Sequence, residues 1–147
     1  MDLIVIILAA LLLIGSISIA IPSRSSREIS KIRMEAKLIG CKITSNLYGE
    51  NKFKNHSKFS VSYRIKNKTN LKEGHFIRDK DKLILYSPVQ LKYSDQFNDI
   101  NNVLQNMSMN LVEIIFNNVS IAFLWKEKSG IEELKMILKD IDKLNNS

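Results

Sequence analysis

A single cysteine, Cys41, stands in the 147-residue chain, so no disulfide framework and no cysteine-based metal site can be built within it. A lone Cys in an apolar-alternating stretch reads as a small core residue. Five glycines leave little material for a phosphate cradle, and no glycine-rich phosphate loop, G-x-S-x-G or H-E-x-x-H occurs. Only two histidines are present. His56 and His75 fall in Lys-rich or Gly-adjacent segments, share no ligand spacing with Asp or Glu, and read as solvated surface residues. The pair Glu132-Glu133 sits in the first turn of an expected helix, where the macrodipole accounts for it. Asp79 and Asp81 flank lysines in a turn and resemble a solvated charge cluster more than a metal loop. Trp125 reads as a core or rim aromatic, and Met107 and Met109 as core fillers. These absences leave no catalytic residue, no metal and no cofactor to expect, and the chain is not expected to be an enzyme.

What the sequence does have is an uninterrupted apolar run from Leu3 to Ile21, LIVIILAALLLIGSISIAI. As a helix it would rise roughly 28 Å, about the thickness of a bilayer's hydrocarbon core, which predicts a single transmembrane helix. Only Asp2 precedes the run, whereas Arg24, Arg27, Lys31, Arg33 and Lys37 follow it against Glu28 and Glu35. Lys and Arg beside a span stay on the cytoplasmic side, which predicts an outside N-terminus and a cytoplasmic C-terminal domain. The same five residues are the candidate contacts with anionic headgroups. The alternative is a secreted or periplasmic binding domain released by cleavage after Ala20, since Ser18-Ile19-Ala20 offers the small residues a signal peptidase reads. Against cleavage, the leading charge is acidic and the run exceeds an ordinary h-region.

Charge is uneven along the remainder. Residues 23–82 carry sixteen Lys or Arg against six acids, and residues 83–147 carry six against eight. A basic segment of this kind suits a lipid surface. Nucleic acid is the less favoured partner, because Phe53, Phe59 and Tyr63 are the only nearby aromatics and two of them fit a strand's core face.

Pro22 ends the first run, and Ser25-Ser26-Arg27-Glu28 has the spacing of a capping box. Ile29, Ile32, Ala36 and Ile39 then form one stripe of an amphipathic helix closed by Gly40. Alternating segments follow: Cys41 to Leu47, a turn at Gly49-Glu50-Asn51, the strand KFSVSYRIK with Phe59, Val61, Tyr63 and Ile65 inward, and a hairpin joining Phe76-Ile77 to LILY through residues 78–82. Ser94 is the expected cap of a second helix with Phe97, Ile100, Leu104 and Met107 on one side. NLVEIIF and VSIAFLW read as strands joined at Asn117-Asn118, where Asn tolerates positive φ. Ser129 and Glu132 repeat the capping-box spacing before a last helix with Ile131, Leu134, Leu138 and Ile141 inward. After the anchor the order is α-β-β-β-β-α-β-β-α with antiparallel pairs, an α+β class.

The apolar run, Pro22, Arg27-Glu28, Arg33, Ala36 and Gly40, together with AFLWKEKSGIEELKMIL near the C-terminus, resemble a group of small, uncharacterised bacterial inner-membrane proteins with one N-terminal span. Some of these are similar to the YajC auxiliary subunit of the Sec translocon. The resemblance implies one span with the domain in the cytoplasm and a membrane-protein complex, such as a translocation or envelope complex, as partner. It implies no active site. The reading is thus a transmembrane anchor at 1–22, a basic juxtamembrane helix at 23–40 and an α+β soluble domain at 41–147. The expected function is that of a single-pass inner-membrane accessory protein docking on anionic lipid or a membrane-protein partner.

Overall fold

The computed structural model describes residues 2–46 and 52–146, save the side chains of 18–20 and 146. Leu47 and the turn expected at Gly49-Glu50-Asn51 lie outside the described residues. The chain divides into two compact units, Met1–Lys31 and Ile32–Ser147.

The first unit holds helix α1 (Asp2–Ala20) and the start of α2 (Arg24–Leu38). The described apolar side chains of α1 are exposed all round, Leu12 to 73%. The expectation of a transmembrane anchor is corrected here: among the described residues no helix is long and apolar enough to cross a membrane. The single-pass inner-membrane placement and its orientation, with the N-terminus outside and the domain in the cytoplasm, lose their support with it. The cap of α2 also differs from expectation. Ser23, not Ser25, receives the Ser26 amide on Oγ at 3.2 Å and the Arg27 amide on its carbonyl at 3.1 Å. A serine two residues nearer Pro22 competes for the same role, and α2 begins correspondingly earlier.

The second unit is α+β, built on one antiparallel sheet of six strands: β1 (Lys42–Ser45), β2 (Val61–Lys66), β3 (Gly74–Asp79), β4 (Lys82–Ser87), β5 (Leu111–Phe116) and β6 (Ser120–Trp125). The spatial order is β1-β2-β6-β5-β3-β4, so the last hairpin lies between the first two. Helix α3 (Phe97–Gln105) follows β4, and α4 (Ile131–Lys143) follows β6.

Alternation along the strands separates the two faces. Tyr63, Phe76, Leu83, Ile114, Phe116, Ile121, Phe123 and Trp125 share one core with Ile100 and Leu104 of α3, Leu134, Ile137 and Ile141 of α4, and Ala36 of α2. Phe97, Ile131 and Leu138 pack at its edge, and Met107 is buried in it. Trp125 is a core residue, as expected, whereas Met109 is exposed. The opposite face carries a smaller cluster, Phe53, Ala122 and Leu124, with Phe59, Val112 and Ile115 against it. Phe59 was expected inward with Tyr63, but it precedes the strand and turns to this second face.

Turn chemistry decides the connections. At the end of α2 the Cys41 amide reaches the Ala36 carbonyl at 3.0 Å and the Gly40 amide reaches Lys37 at 3.2 Å, a Schellman closure with Gly40 at φ 102°. The β3–β4 hairpin turns at Lys80, φ 54°. Between β5 and β6 the expected positive φ at Asn is absent. Instead, Asn117 Oδ1 accepts the amides of Val119 at 3.0 Å and Ser120 at 2.7 Å, and the side chain makes the turn. Two further caps are corrected. Ser94 bonds back to the Leu91 carbonyl and makes no side-chain bond to the start of α3. Ser129 ends a short 3-10 turn (Glu127–Ser129), so Gly130, φ 95°, becomes the residue that opens α4.

Candidate functional site

The open face of the sheet positions the groups with chemical potential. Backbone pairing lines up one row across all six strands: Lys42, Arg64, Ala122, Ile115, His75 and Ser87. A β-bulge between Leu111 and Glu113 resets the face on β5, and Glu113 turns toward this side between Ile77 and Leu124.

Glu113 is fully buried, as a carboxylate rarely is unless it is paired. Its Oε1 accepts the Lys54 amide at 2.7 Å and His75 Nε2 at 2.6 Å. Its Oε2 accepts the Asn55 amide at 3.0 Å and Asn55 Nδ2 at 3.2 Å. Because an ionised carboxylate only accepts, Nε2 of His75 carries the proton. Burial is the largest single influence on Glu113 and pushes its pKa up. The bonds from His75, Lys54 and Asn55 together outweigh it and hold the carboxyl below its usual range. The expectation that His75 is a solvated surface residue is therefore corrected: it is 8% exposed, bound to Glu113 and set edge-on to the Tyr86 ring at 5.0 Å. His56 is exposed, its Nδ1 2.8 Å from the Phe53 carbonyl.

The dyad has the composition of a catalytic pair, yet the carboxylate's acceptor positions are taken by the 53–55 loop. What this arrangement does chemically is fasten that loop over the sheet. Two further carboxylates of the second unit are engaged in a similar way. Glu127 receives Arg33 in a two-pronged bond, 2.7 and 2.8 Å, and the Tyr63 hydroxyl at 2.9 Å. Glu133 receives the Ser108 hydroxyl and Asn110 Nδ2, and these bonds lower its pKa. Its partner in sequence, Glu132, pairs with Lys135 on the surface.

The five expected headgroup contacts are divided between the two units. Arg24, Arg27 and Lys31 belong to the first unit and are exposed, Arg24 with Glu28 at 3.3 Å. Arg33 belongs to the second unit and is spent on Glu127, while Lys37 is exposed there. The feature that could have flagged Glu113 was a single charge in the middle of the apolar run NLVEIIF, which must be paired if the strand is buried on both faces.

Two adjoining clefts flank this network. One, of about 180 Å³, is lined in part by Thr44, Lys52, Ser62 and Arg64 over Phe53 and Ala122. The other, of about 250 Å³, includes Gly74, His75 and Ser87, and the two share Lys52, Ile115 and Asn117. Among the described residues no group of three or more His, Cys, Asp or Glu could hold a metal ion. No family model, curated protein or solved structure matches the chain.

Proposed function

We propose that this chain is a non-catalytic accessory protein that docks on an anionic lipid surface through Arg24, Arg27 and Lys31. The observation that carries this reading is their placement. They recur at i, i+3 and i+7 of α2, within roughly 60° of one another around a helix, and all three side chains are exposed in the first unit. Each Lys or Arg near an anionic leaflet contributes about 1 kcal/mol, so the three together favour it by roughly two orders of magnitude. The Arg24–Glu28 pair is exposed and competes weakly with lipid. The apolar side chains that α1 exposes in the same unit also favour a surface-docking role, because large exposed apolar patches mark interaction sites. The non-catalytic part of the reading rests on Glu113, Glu127 and Glu133, each of which is occupied in holding loops or helices in place.

Flotation of the full chain with vesicles tests the proposal, using phosphatidylcholine alone or mixed with phosphatidylglycerol. The anionic vesicles should retain the protein about a hundredfold better at low salt, and the triple variant R24Q/R27Q/K31Q should lose most of that preference. Equal retention on neutral and anionic vesicles, or an undiminished preference in the variant, refutes it.

A further inference from the structure

We propose that the cleft beside β1 and β2 binds a small phosphate monoester, its phosphate held by Lys52, Arg64 and Ser62 and its uncharged body lying over Ile115 toward His75. Three independent observations converge on this site.

The first is unspent positive charge. Lys52 and Arg64 both line the cleft, and among the described residues neither makes a hydrogen bond or an ion pair with another side chain. No described acid lines this cleft, and Glu73 is the acid that lines the adjoining one. Arginine elsewhere in the second unit is used quite differently: Arg33 grips Glu127, and Arg78 donates to the carbonyls of Leu111 at 2.9 Å and Ser108 at 2.8 Å. Among the described arginines of the second unit, Arg64 is the one that leaves its planar fork of donors open, the geometry that suits an oxyanion.

The second is Ser62. Only 6% of this residue is exposed, it lines the cleft, and its hydroxyl has no protein partner among the described residues. The hydroxyl is open to the cleft, so it can donate to or accept from a group that enters. Sheet register sets it beside the cations: Ser62 and Arg64 are two apart on β2, and Thr44 and Lys42 of β1 stand directly across from them. Hydroxyls and cations thus share one face, a donor-rich set matched to a group with three acceptor oxygens and a charge near −2.

The third is the apolar floor and its extension. Phe53, Ala122 and Ile115 pave the cleft, and beyond Ile115 and Asn117 it adjoins the second cleft at Gly74, His75 and Ser87. Together the two reach the lower end of the range of small-molecule sites, roughly 300 Å³ and above. A bare anion would leave the apolar floor uncovered, whereas an ester with an aromatic or aliphatic body would cover it.

Phenyl phosphate, inorganic phosphate and benzoate are the probes. Each is titrated into the full-length protein while backbone amide resonances are followed by NMR. Phenyl phosphate should shift the amides of Thr44, Ser62, Arg64 and Ala122 saturably. Inorganic phosphate should bind about tenfold more weakly for want of a body, and benzoate about tenfold more weakly for want of charge and oxygens. R64Q and K52Q alter exposed side chains with no partner to lose, so the fold remains intact, and each should weaken phenyl phosphate about tenfold. Absent or non-saturating shifts at these amides overturn the proposal. So does benzoate binding as well as phenyl phosphate, or an R64Q/K52Q double variant that binds like the unaltered protein.

Discussion

Replacing Glu113 with glutamine tests whether the open face is organised around one buried carboxylate. The substitution keeps the shape but exchanges an acceptor oxygen for an NH2 group. Oε1 faces two donors, the Lys54 amide and His75 Nε2, while Oε2 faces the Asn55 amide and Asn55 Nδ2. The new NH2 group is accommodated best at the Oε2 position, because Asn55 can turn its own amide to present oxygen. The backbone N–H of Asn55 is then left facing a donor. One such buried unpaired group costs about 2 kcal/mol. Glu113→Ala removes all four bonds and leaves a void, and should cost about 4 kcal/mol, the range found when a buried polar network is broken. Against a domain stability of about 5–15 kcal/mol both effects are large. Urea unfolding followed by Trp125 fluorescence should place the glutamine variant's midpoint about 1 M below that of the unaltered protein. Amide exchange at Asn55 should accelerate roughly thirtyfold if it proceeds by the same opening. Acid provides a second axis. Because the folded carboxyl titrates below its unfolded value of about 4.3, its contribution is complete above that pH and is lost as pH falls through the folded value. The gap between the two proteins should therefore narrow below about pH 4. A glutamine variant within 0.5 kcal/mol of the original, with Lys54 and Asn55 amides equally protected, refutes the reasoning.

Burial pushes the Cys41 thiol up to about 11, so a disulfide-exchange reagent at pH 8 should modify it far more slowly than it does a free cysteine, and unfolding in urea should restore the ordinary rate. Gly40→Ala meets no neighbouring atom but must adopt φ 102°, and calorimetry should show a loss of about 1 kcal/mol, where no loss would remove the Schellman assignment. Arg33→Lys cannot make the two-pronged bond to Glu127 and should cost about 1 kcal/mol in urea titration. Burial, with the Glu127 carboxylate behind it, raises the Tyr63 phenol, so ultraviolet titration should find it ionising above the ordinary value of about 10.

The order of helices and strands in the second unit could be read from the chain because each element repeats its own period with turn residues between. Val61, Tyr63 and Ile65 alternate toward one core, as do Ile121, Phe123 and Trp125, and the stripe Ile100, Leu104 marks α3. Helix starts were less legible. Ser23, Ser25 and Ser26 are all competent caps, and only the path of the chain after Pro22 selects Ser23. Ser94 and Ser129 have the right spacing but are drawn into 3-10 turns that precede their helices. The site was hidden for a different reason. His75 and Glu113 are 38 residues apart, and only the β3–β5 pairing together with the β5 bulge sets them side by side. Arg33 looked like one more juxtamembrane charge, since its partner Glu127 lies 94 residues further on.

The strand order also bears on how the molecule is made. A ribosome delivers β1 through β4 well before β5 and β6, yet those final two strands are the pieces that join the earlier pairs to each other. β3 waits with an unfilled edge until β5 has emerged and β2 until β6 has, and pairings this distant along the chain form slowly. A nascent chain halted before β5 is thus two separate hairpins with sticky borders, a natural client for a chaperone.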